Sequence, residues 1–231
     1  MKLWVCHVTR MRPGAICIAG IDPATGSFAR PILPYEAGQF SCLLLARNGG
    51  PVRLGAVIDF GSDVPRSTPP EVEDRLVRPL PLRASAVLPH GELWAALETR
   101  ASDSMAHIFG PDLMGLEGAS LGVLEGKGRA SLGVFRPSAP PMILHKRDES
   151  MKESLRVRVA TDLGIANLSL TDARFYDDDG RLVPESDDWV ERINARFRRR
   201  DRALLCVGLT RAYRDHHWLQ VNNIVFREPG A

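Results

Sequence analysis

Short segments in which hydrophobic and polar side chains alternate recur along the chain and predict many strands and few helices. In the segment 3–8 (LWVCHV), Leu3, Val5 and His7 alternate with Trp4, Cys6 and Val8. This period of two is typical of a strand with one buried face. A second apolar segment at 16–21 is followed by the turn signal DPATG at 22–26 and by a third strand that ends at Ile32. Further strands are predicted at 56–60, 155–159, 168–170, 204–207 and 218–226.

Two segments have the hydrophobic period of a helix. The first helix is predicted over 93–106. The second, over 186–202, places Trp189, Ile193 and Phe197 in one apolar stripe. Acidic residues crowd its N-terminal end and arginines crowd its C-terminal end, and both placements complement the helix dipole. The arginine run is a possible phosphate contact, but dipole matching and solvation explain it without a ligand.

A five-residue repeat, ASLGV, occurs at 119–123 and again at 130–134. The sequence Gly-Lys-Gly at 126–128 lies between the copies and predicts a β-hairpin in which each copy forms one strand. A phosphate-binding P-loop does not fit this stretch. The spacing to Lys127 is one residue short, and Gly128 stands where that motif requires Ser or Thr.

Composition narrows the class of protein. The 231 residues are 44% hydrophobic and 25% charged, which is ordinary for a globular protein with a core. The formal net charge is only +2, so nucleic acid would have to bind a local basic patch. No apolar run is long enough to span a bilayer, and the N-terminus lacks the apolar region of a signal peptide. These features predict a cytoplasmic protein with no membrane partner.

The cysteines give no sign of a metal site or a disulfide framework. Cys6, Cys17, Cys42 and Cys206 have neither CxxC nor Cys/His ligand spacing. Three of them lie in apolar strand segments, where buried free thiols are usual. This pattern agrees with a reducing compartment. We therefore predict neither a metal nor a cofactor.

Both ends of the chain follow one plan, in which an apolar strand ends in Thr-Arg and a further arginine follows, at 9–12 and at 210–214. A guanidinium at a strand end presents a planar fork of donors to a phosphate or a base edge. The predicted nucleic-acid-binding residues are Thr9, Arg10, Arg12, Arg30, Thr210, Arg211, Arg214 and His217. For any one arginine, a structural ion pair with Asp22, Asp59 or Asp172 is the alternative.

The segment CHVTRMRPGAICIAGIDPATGSFARPI (6–32) resembles the opening of the prokaryotic dual-OB-containing domain family. The matching residues are Thr9, Gly14, Cys17, Ala19, Gly20, Asp22, Thr25, Gly26, Arg30 and Pro31. Later segments also fit, notably SLG at 131–133, TDARFY at 171–176, VGLTR at 207–211 and HWLQVNNI at 217–224. The family's Ser-Arg-Lys after the first strand is Thr-Arg-Met-Arg here, which keeps the basic character of that loop.

The resemblance implies two OB-like folds and a role in binding nucleic acid or a nucleotide, in prokaryotic defence or nucleic-acid processing. The expected fold class is therefore mainly β (β-rich α+β). We expect OB-like barrels at 1–83 and 119–231, a helical connection at 84–118, and the amphipathic helix 186–202 within the second barrel. Single-stranded nucleic acid or RNA is the favoured partner, because OB barrels bind oligonucleotides on strand faces and loop mouths. The sequence indicates no oligomeric state.

Binding is favoured over catalysis, because no HExxH, HxH or GxSxG pattern appears. Two alternatives stay open. One is a metal-dependent nuclease, or another enzyme that modifies nucleic acid, using Asp22, Asp172 and His217. The other is a protein-interaction module, because aromatic residues that stack on bases make up only 6% of the chain.

Overall fold

The computed structural model describes residues 1–35, 38–78, 81–147 and 153–228. The first of two sheets contains β1 (Lys2–Arg10), β2 (Ala15–Ile21), β3 (Phe28–Ile32), β4 (Phe40–Ser41), β5 (Ala56–Asp59), β6 (Asp63–Pro65), β7 (Asp74–Val77) and β8 (Ala84–Val87). The second contains β9 (Ala101–Ser102), β10 (Met114–Leu116), β11 (Ser120–Leu124), β12 (Leu132–Phe135), β13 (Met142–Arg147), β14 (Glu153–Thr161), β15 (Gly164–Leu170), β16 (Ala203–Leu209) and β17 (His216–Phe226). The helices are α1 (His90–Glu98), α2 (Met105–Phe109) and α3 (Ser186–Arg198).

The first sheet has the pairing order of a small Greek-key barrel. Its strands run β6-β7-β3-β2-β1-β5-β8, with β3 and β7 parallel and the other pairs antiparallel. Strands β5 and β6 follow one another in the chain but pair with β1 and β7, respectively. They are thus two halves of one bent strand. Because one half pairs at each end of the strand order, this strand closes the sheet into a barrel. This is the five-stranded OB-type arrangement that the family resemblance implies.

The second sheet repeats that order. Its strands run β13-β14-β15-β17-β16-β12-β9, and β15 pairs with β17 in parallel. Here β12 and β13 are the consecutive halves of the bent strand, one next to β16 and the other next to β14. Helix α3 connects β15 to β16 and packs Val190 and Phe197 into this barrel's core. The mainly β fold class with two OB-like barrels is therefore confirmed.

The predicted helix over 93–106 is wrong in its extent, because the chain forms two shorter helices. Helix α1 ends at Glu98, and β9 then pairs in parallel with β12. Ser104 caps a new helix, since its Oγ accepts the N–H of His107 at 2.9 Å. Asp162 accepts the N–H of Met105 at 2.8 Å and fixes the same helix end. The domain limits at 83 and 118 stay a prediction, and β8 lies just beyond the first of them.

The predicted hairpin between the two ASLGV copies is also wrong, although each copy does supply a strand. Strand β11 pairs with β10 and β17, whereas β12 pairs with β16 and β9. The copies therefore lie on opposite sides of the β16–β17 hairpin. Within the second copy, Ser131 is held by the first barrel, because its N–H and its Oγ donate to Glu73, the hydroxyl at 2.6 Å.

Each barrel has its own core, and a third cluster joins the barrels back to back. This third cluster consists of Cys6, Ile21, Leu93, Trp94, Leu97, Val134, Leu204, Cys206 and Val225. It combines the outer side of β1 and β2 with one face of α1 and the outer sides of β12, β16 and β17. The strand face of the first barrel around β1 and β2 is therefore covered. This arrangement decides which strand face of the molecule a ligand can reach.

Candidate nucleic-acid interface

Two of the predicted arginines lie in a buried ion-pair cluster between the barrels. Arg30 donates from Nε to Asp74 Oδ1 at 2.5 Å, and both residues are almost fully buried. Arg211 donates from Nη1 to Asp74 Oδ2 at 2.6 Å and pairs with Glu71 at 2.8 Å. Although burial disfavours its charge, Asp74 and Glu71 raise the pKa of the Arg211 guanidinium above its ordinary value. Both guanidinium charges are thus compensated within the protein.

Three further predicted residues form contacts within the protein at strand ends. Thr9 is buried, and its backbone forms an antiparallel bridge with that of Asp172, at the point where β1 meets the second barrel. Thr210 accepts the N–H of Trp218 on its Oγ1 at 2.9 Å. His217 is buried, and its Nδ1 lies 2.8 Å from the carbonyl oxygen of Thr210. These contacts fix the ends of strands and leave little surface for a ligand.

Arg10 and Arg12 lie at a different place, on the surface. The Arg10 guanidinium lies over the ring of Tyr176 at 4.0 Å, and its buried Nε has no hydrogen-bond partner among the described residues. Arg12 donates from Nε to Gln39 at 3.0 Å. Together with Arg181, both arginines line a cavity of about 570 Å³. The two Thr-Arg corners therefore differ in kind: Arg211 is part of an internal ion-pair cluster, and Arg10 faces a cavity.

Arg214 lies in the loop between β16 and β17. The loop displays Tyr213, which is 61% exposed, and the Arg214 guanidinium lies 5.2 Å from the centre of its ring. Trp218 donates from its indole nitrogen to the carbonyl oxygen of Tyr213 at 3.1 Å, which ties the loop to β17. An aromatic ring held outward beside a guanidinium can stack on an unpaired base.

A basic strand face that the predicted site omitted lies on the second barrel. In β14, Leu155, Val157 and Val159 point into the core, so Arg156 and Arg158 point outward. Opposite them in β15, Arg156 pairs with Ser169 and Arg158 pairs with Asn167. On the other side, β13 places Met142, Leu144 and Lys146 in register with Arg158, Arg156 and Ser154. We call the outward-pointing residues Lys146, Arg156, Arg158, Asn167 and Ser169 the β14–β15 surface.

The charges of the β14–β15 surface are not compensated in the part of the chain that the structure describes. There, neither Arg156 nor Arg158 has a hydrogen-bonded or ion-paired partner. Burial lowers the pKa of Arg156, and the phenol oxygen of Tyr176 acts in the opposite direction. The side-chain oxygen of Asn167 is buried and likewise lacks a donor among the described residues. The surface thus holds two arginines with unused binding capacity, and the amide oxygen beneath it is also without a partner among the described residues.

The β14–β15 surface is continuous with two of the sequence-predicted regions. The fully buried Tyr176 lies behind one end of it, where its hydroxyl accepts the N–H of Leu155 at 3.2 Å and donates to Leu170 at 2.8 Å. Glu153, the first residue of β14, lines the cavity of Arg10 and Arg12, so this cavity adjoins the same end. On the other side Ser169 is in register with Gln220 of β17, the strand that follows the Tyr213 loop. The alternation LRVRV at 155–159 was the signal that could have identified this surface.

The acidic residues that the sequence offered for a metal-dependent nuclease make contacts within the protein. Within 1–35, 38–78, 81–147 and 153–228, no group of three or more His, Cys, Asp or Glu could hold a metal ion. Asp22 accepts the N–H of Ala24 in its turn, and Asp172 is bound by Arg174. The cysteines are free thiols. Among the described helices, none is long and apolar enough to cross a membrane.

Two Greek-key barrels of one strand order, packed back to back, define a dual OB protein. Comparison with known protein families matches residues 1–224 to the dual OB-containing domain (DuOB), and the chain belongs to this family. Searches of the curated proteins and of the solved structures found no match.

Proposed function

We propose that the protein binds single-stranded nucleic acid on the β14–β15 surface, as a binding protein without a catalytic role. The observation that carries this proposal is the outward placement of Arg156 and Arg158. Both lie on β14, the second strand of an OB barrel, and their charges lack partners among the described residues. OB folds bind oligonucleotides on the face of their second and third strands and in the loop between the fourth and fifth. In this barrel these parts are β14, β15 and the Tyr213 loop.

Several features favour a single strand over a duplex. Tyr213 offers a ring for stacking, which an unpaired base can use and a base within a duplex cannot. Ser169 presents a hydroxyl group beside Arg156, where base edges can form hydrogen bonds. The arginines bind phosphates. This fits a protein that has a small net charge but a locally basic surface.

The sequence-predicted residues divide into two groups under this proposal. Arg10, Arg12 and Arg214 extend the β14–β15 surface at its ends and contact phosphates. The predicted residues Arg30, Arg211, His217, Thr9 and Thr210 hold the barrels and the Tyr213 loop in place through the ion pairs, hydrogen bonds and backbone pairing that they form within the protein.

The test is a fluorescence-polarisation titration with labelled single-stranded RNA and DNA, duplexes and mononucleotides at several salt concentrations. We expect the double variant Arg156→Gln/Arg158→Gln to bind single strands at least tenfold more weakly. Loss of two phosphate contacts should also reduce the slope of log K against log salt by about 1.4. The matched control is Arg198→Gln/Arg199→Gln, which removes two exposed charges from the end of α3 and should leave both quantities unchanged.

Three results would overturn the proposal in whole or in part. Equal loss of affinity in the two double variants would show that only overall charge matters. Failure of the unmodified protein to bind any nucleic acid at low salt would favour a protein-interaction module instead. Cleavage of the bound strand on addition of Mg²⁺ would contradict the absence of a catalytic role.

A further inference from the structure

A second cavity of about 570 Å³ lies between the two barrels and shares no lining residue with the β14–β15 surface. One wall is the segment 45–54 of the first barrel. The opposite wall consists of the segment 172–175 and of α3 from the second barrel. Its volume falls within the range of small-molecule sites, roughly 300–1,000 Å³.

The inside of this inter-barrel cavity is apolar and aromatic. Leu45, Val52 and Ile193 supply aliphatic surface, and Phe175 and Trp189 supply rings. These two rings meet edge to face, with their centres 5.9 Å apart. The indole of Trp189 is only half-buried, so part of its surface faces the cavity. A flat, apolar group fits this lining, because aromatic rings pack well in offset or edge-to-face contact.

Most of the charged residues that line the cavity are positive. Arginines at 47, 53 and 174 line it, and Asp172 is the one acid among its described lining residues. The Asp172 carboxylate is fully buried and accepts hydrogen bonds from Arg174, so that pair carries no net charge. Arg47 binds Asp178, which lies outside the lining. Arg53 is exposed, and its guanidinium has no partner among the described residues.

We propose that this cavity binds a small planar aromatic anion of the size of a nucleoside monophosphate. The aromatic ring packs against Trp189 and Phe175, and the anionic group binds Arg53. A guanidinium suits this role, because it forms paired hydrogen bonds with phosphate or carboxylate. The inference does not depend on the β14–β15 surface, since no residue is common to the two sites.

Isothermal titration calorimetry tests the proposal with AMP, GMP, CMP and UMP as probes. Adenosine supplies the ring without the anion, and ribose 5-phosphate supplies the anion without the ring. We expect at least one nucleotide to bind, and both partial probes to bind at least about tenfold more weakly. Arg53→Gln should weaken the nucleotide about tenfold and leave adenosine unchanged. Trp189→Leu should weaken the nucleotide and adenosine alike.

Arg78→Gln is the control, because Arg78 is an exposed arginine of the first barrel that does not line the cavity. It should leave nucleotide binding unchanged. The proposal is overturned if no nucleotide binds at millimolar concentration, or if Arg53→Gln has no effect. It is also overturned if Arg156→Gln/Arg158→Gln, rather than Arg53→Gln, abolishes nucleotide binding, since the nucleotide then occupies the β14–β15 surface.

Discussion

Arg211 of the second barrel donates a 2.6 Å hydrogen bond to Asp74 of the first, although 137 residues separate the two in the chain. The other oxygen of this buried carboxylate binds Arg30 at 2.5 Å. One carboxylate thus bridges two arginines from different barrels. Because buried charges are stable only when they are paired, the cluster holds the barrels in one relative position.

The first prediction concerns this carboxylate. Asp74→Asn removes the negative charge between two guanidinium groups, one of them almost fully buried. We expect the free energy of unfolding to fall by about 3–5 kcal/mol, the usual cost of leaving a buried charge unpaired. Urea denaturation followed by tryptophan fluorescence measures it. Asp103→Asn, at an exposed position, is the control. If both variants lower the free energy of unfolding equally little, the cluster contributes little to stability.

The second prediction concerns His7 and pH. Burial, aided by the charge of Arg30, lowers the pKa of His7 to about 3, whereas in the unfolded chain it is near 6.5. Between these values the unfolded state binds more protons, so stability from His7 is full above pH 6.5 and decreases as pH falls toward 3. The slope is at most about 1.4 kcal/mol per pH unit. Urea denaturation at pH 7, 6 and 5 should show a smaller slope for His7→Gln, and an unchanged slope would contradict the assignment.

The third prediction separates the two Thr-Arg corners. Arg211→Gln should lower the free energy of unfolding by about 1–3 kcal/mol, because it removes charge-assisted hydrogen bonds to Asp74 and Glu71. Arg10→Gln should lower the free energy of unfolding by only about 0.5–1 kcal/mol, the usual contribution of its contact with the Tyr176 ring, and weaken binding of single strands severalfold. Denaturation and polarisation titrations on both variants measure the two effects. The reverse pattern would mean that Arg211 contacts the ligand and Arg10 is structural.

The fourth prediction concerns stacking in the loop between β16 and β17. Tyr213→Ala should weaken binding of a single strand by about 1–3 kcal/mol, the usual contribution of one stacked base. Tyr35→Ala is the matched control, because Tyr35 is an exposed tyrosine of the first barrel, 48% accessible. Polarisation titrations compare the two. If both variants bind like the unmodified protein, the Tyr213 ring does not take part.

The local pattern of hydrophobic and polar residues predicted where the strands lie, but it did not predict which distant strands pair with one another. The alternation at 3–8 correctly indicated β1, and the apolar stripe of Trp189, Ile193 and Phe197 correctly indicated α3. The two ASLGV copies were paired wrongly, because their true partners, β17 and β16, lie far along the chain. Strand register of that kind depends on tertiary contacts rather than on neighbouring residues.

The candidate site was predictable to a smaller degree. Arg10 and Arg211 have nearly the same local sequence, but only Arg211 meets a carboxylate, supplied by a segment 137 residues away. Sequence spacing does not reveal such a partner. By contrast, Arg156 and Arg158 alternate with apolar residues within five positions, and the period of a strand already indicates that they share its solvent face.

The covered outer side of β1 and β2 bears on the stoichiometry of binding. An OB barrel contacts roughly 4–16 nucleotides, and a protein with two open strand faces could occupy twice that length. Here the second barrel and α1 occupy the strand face of the first. Under the proposed function, each chain takes up one oligonucleotide with the footprint of a single barrel. Affinity should therefore stop rising with oligonucleotide length once that one footprint is filled.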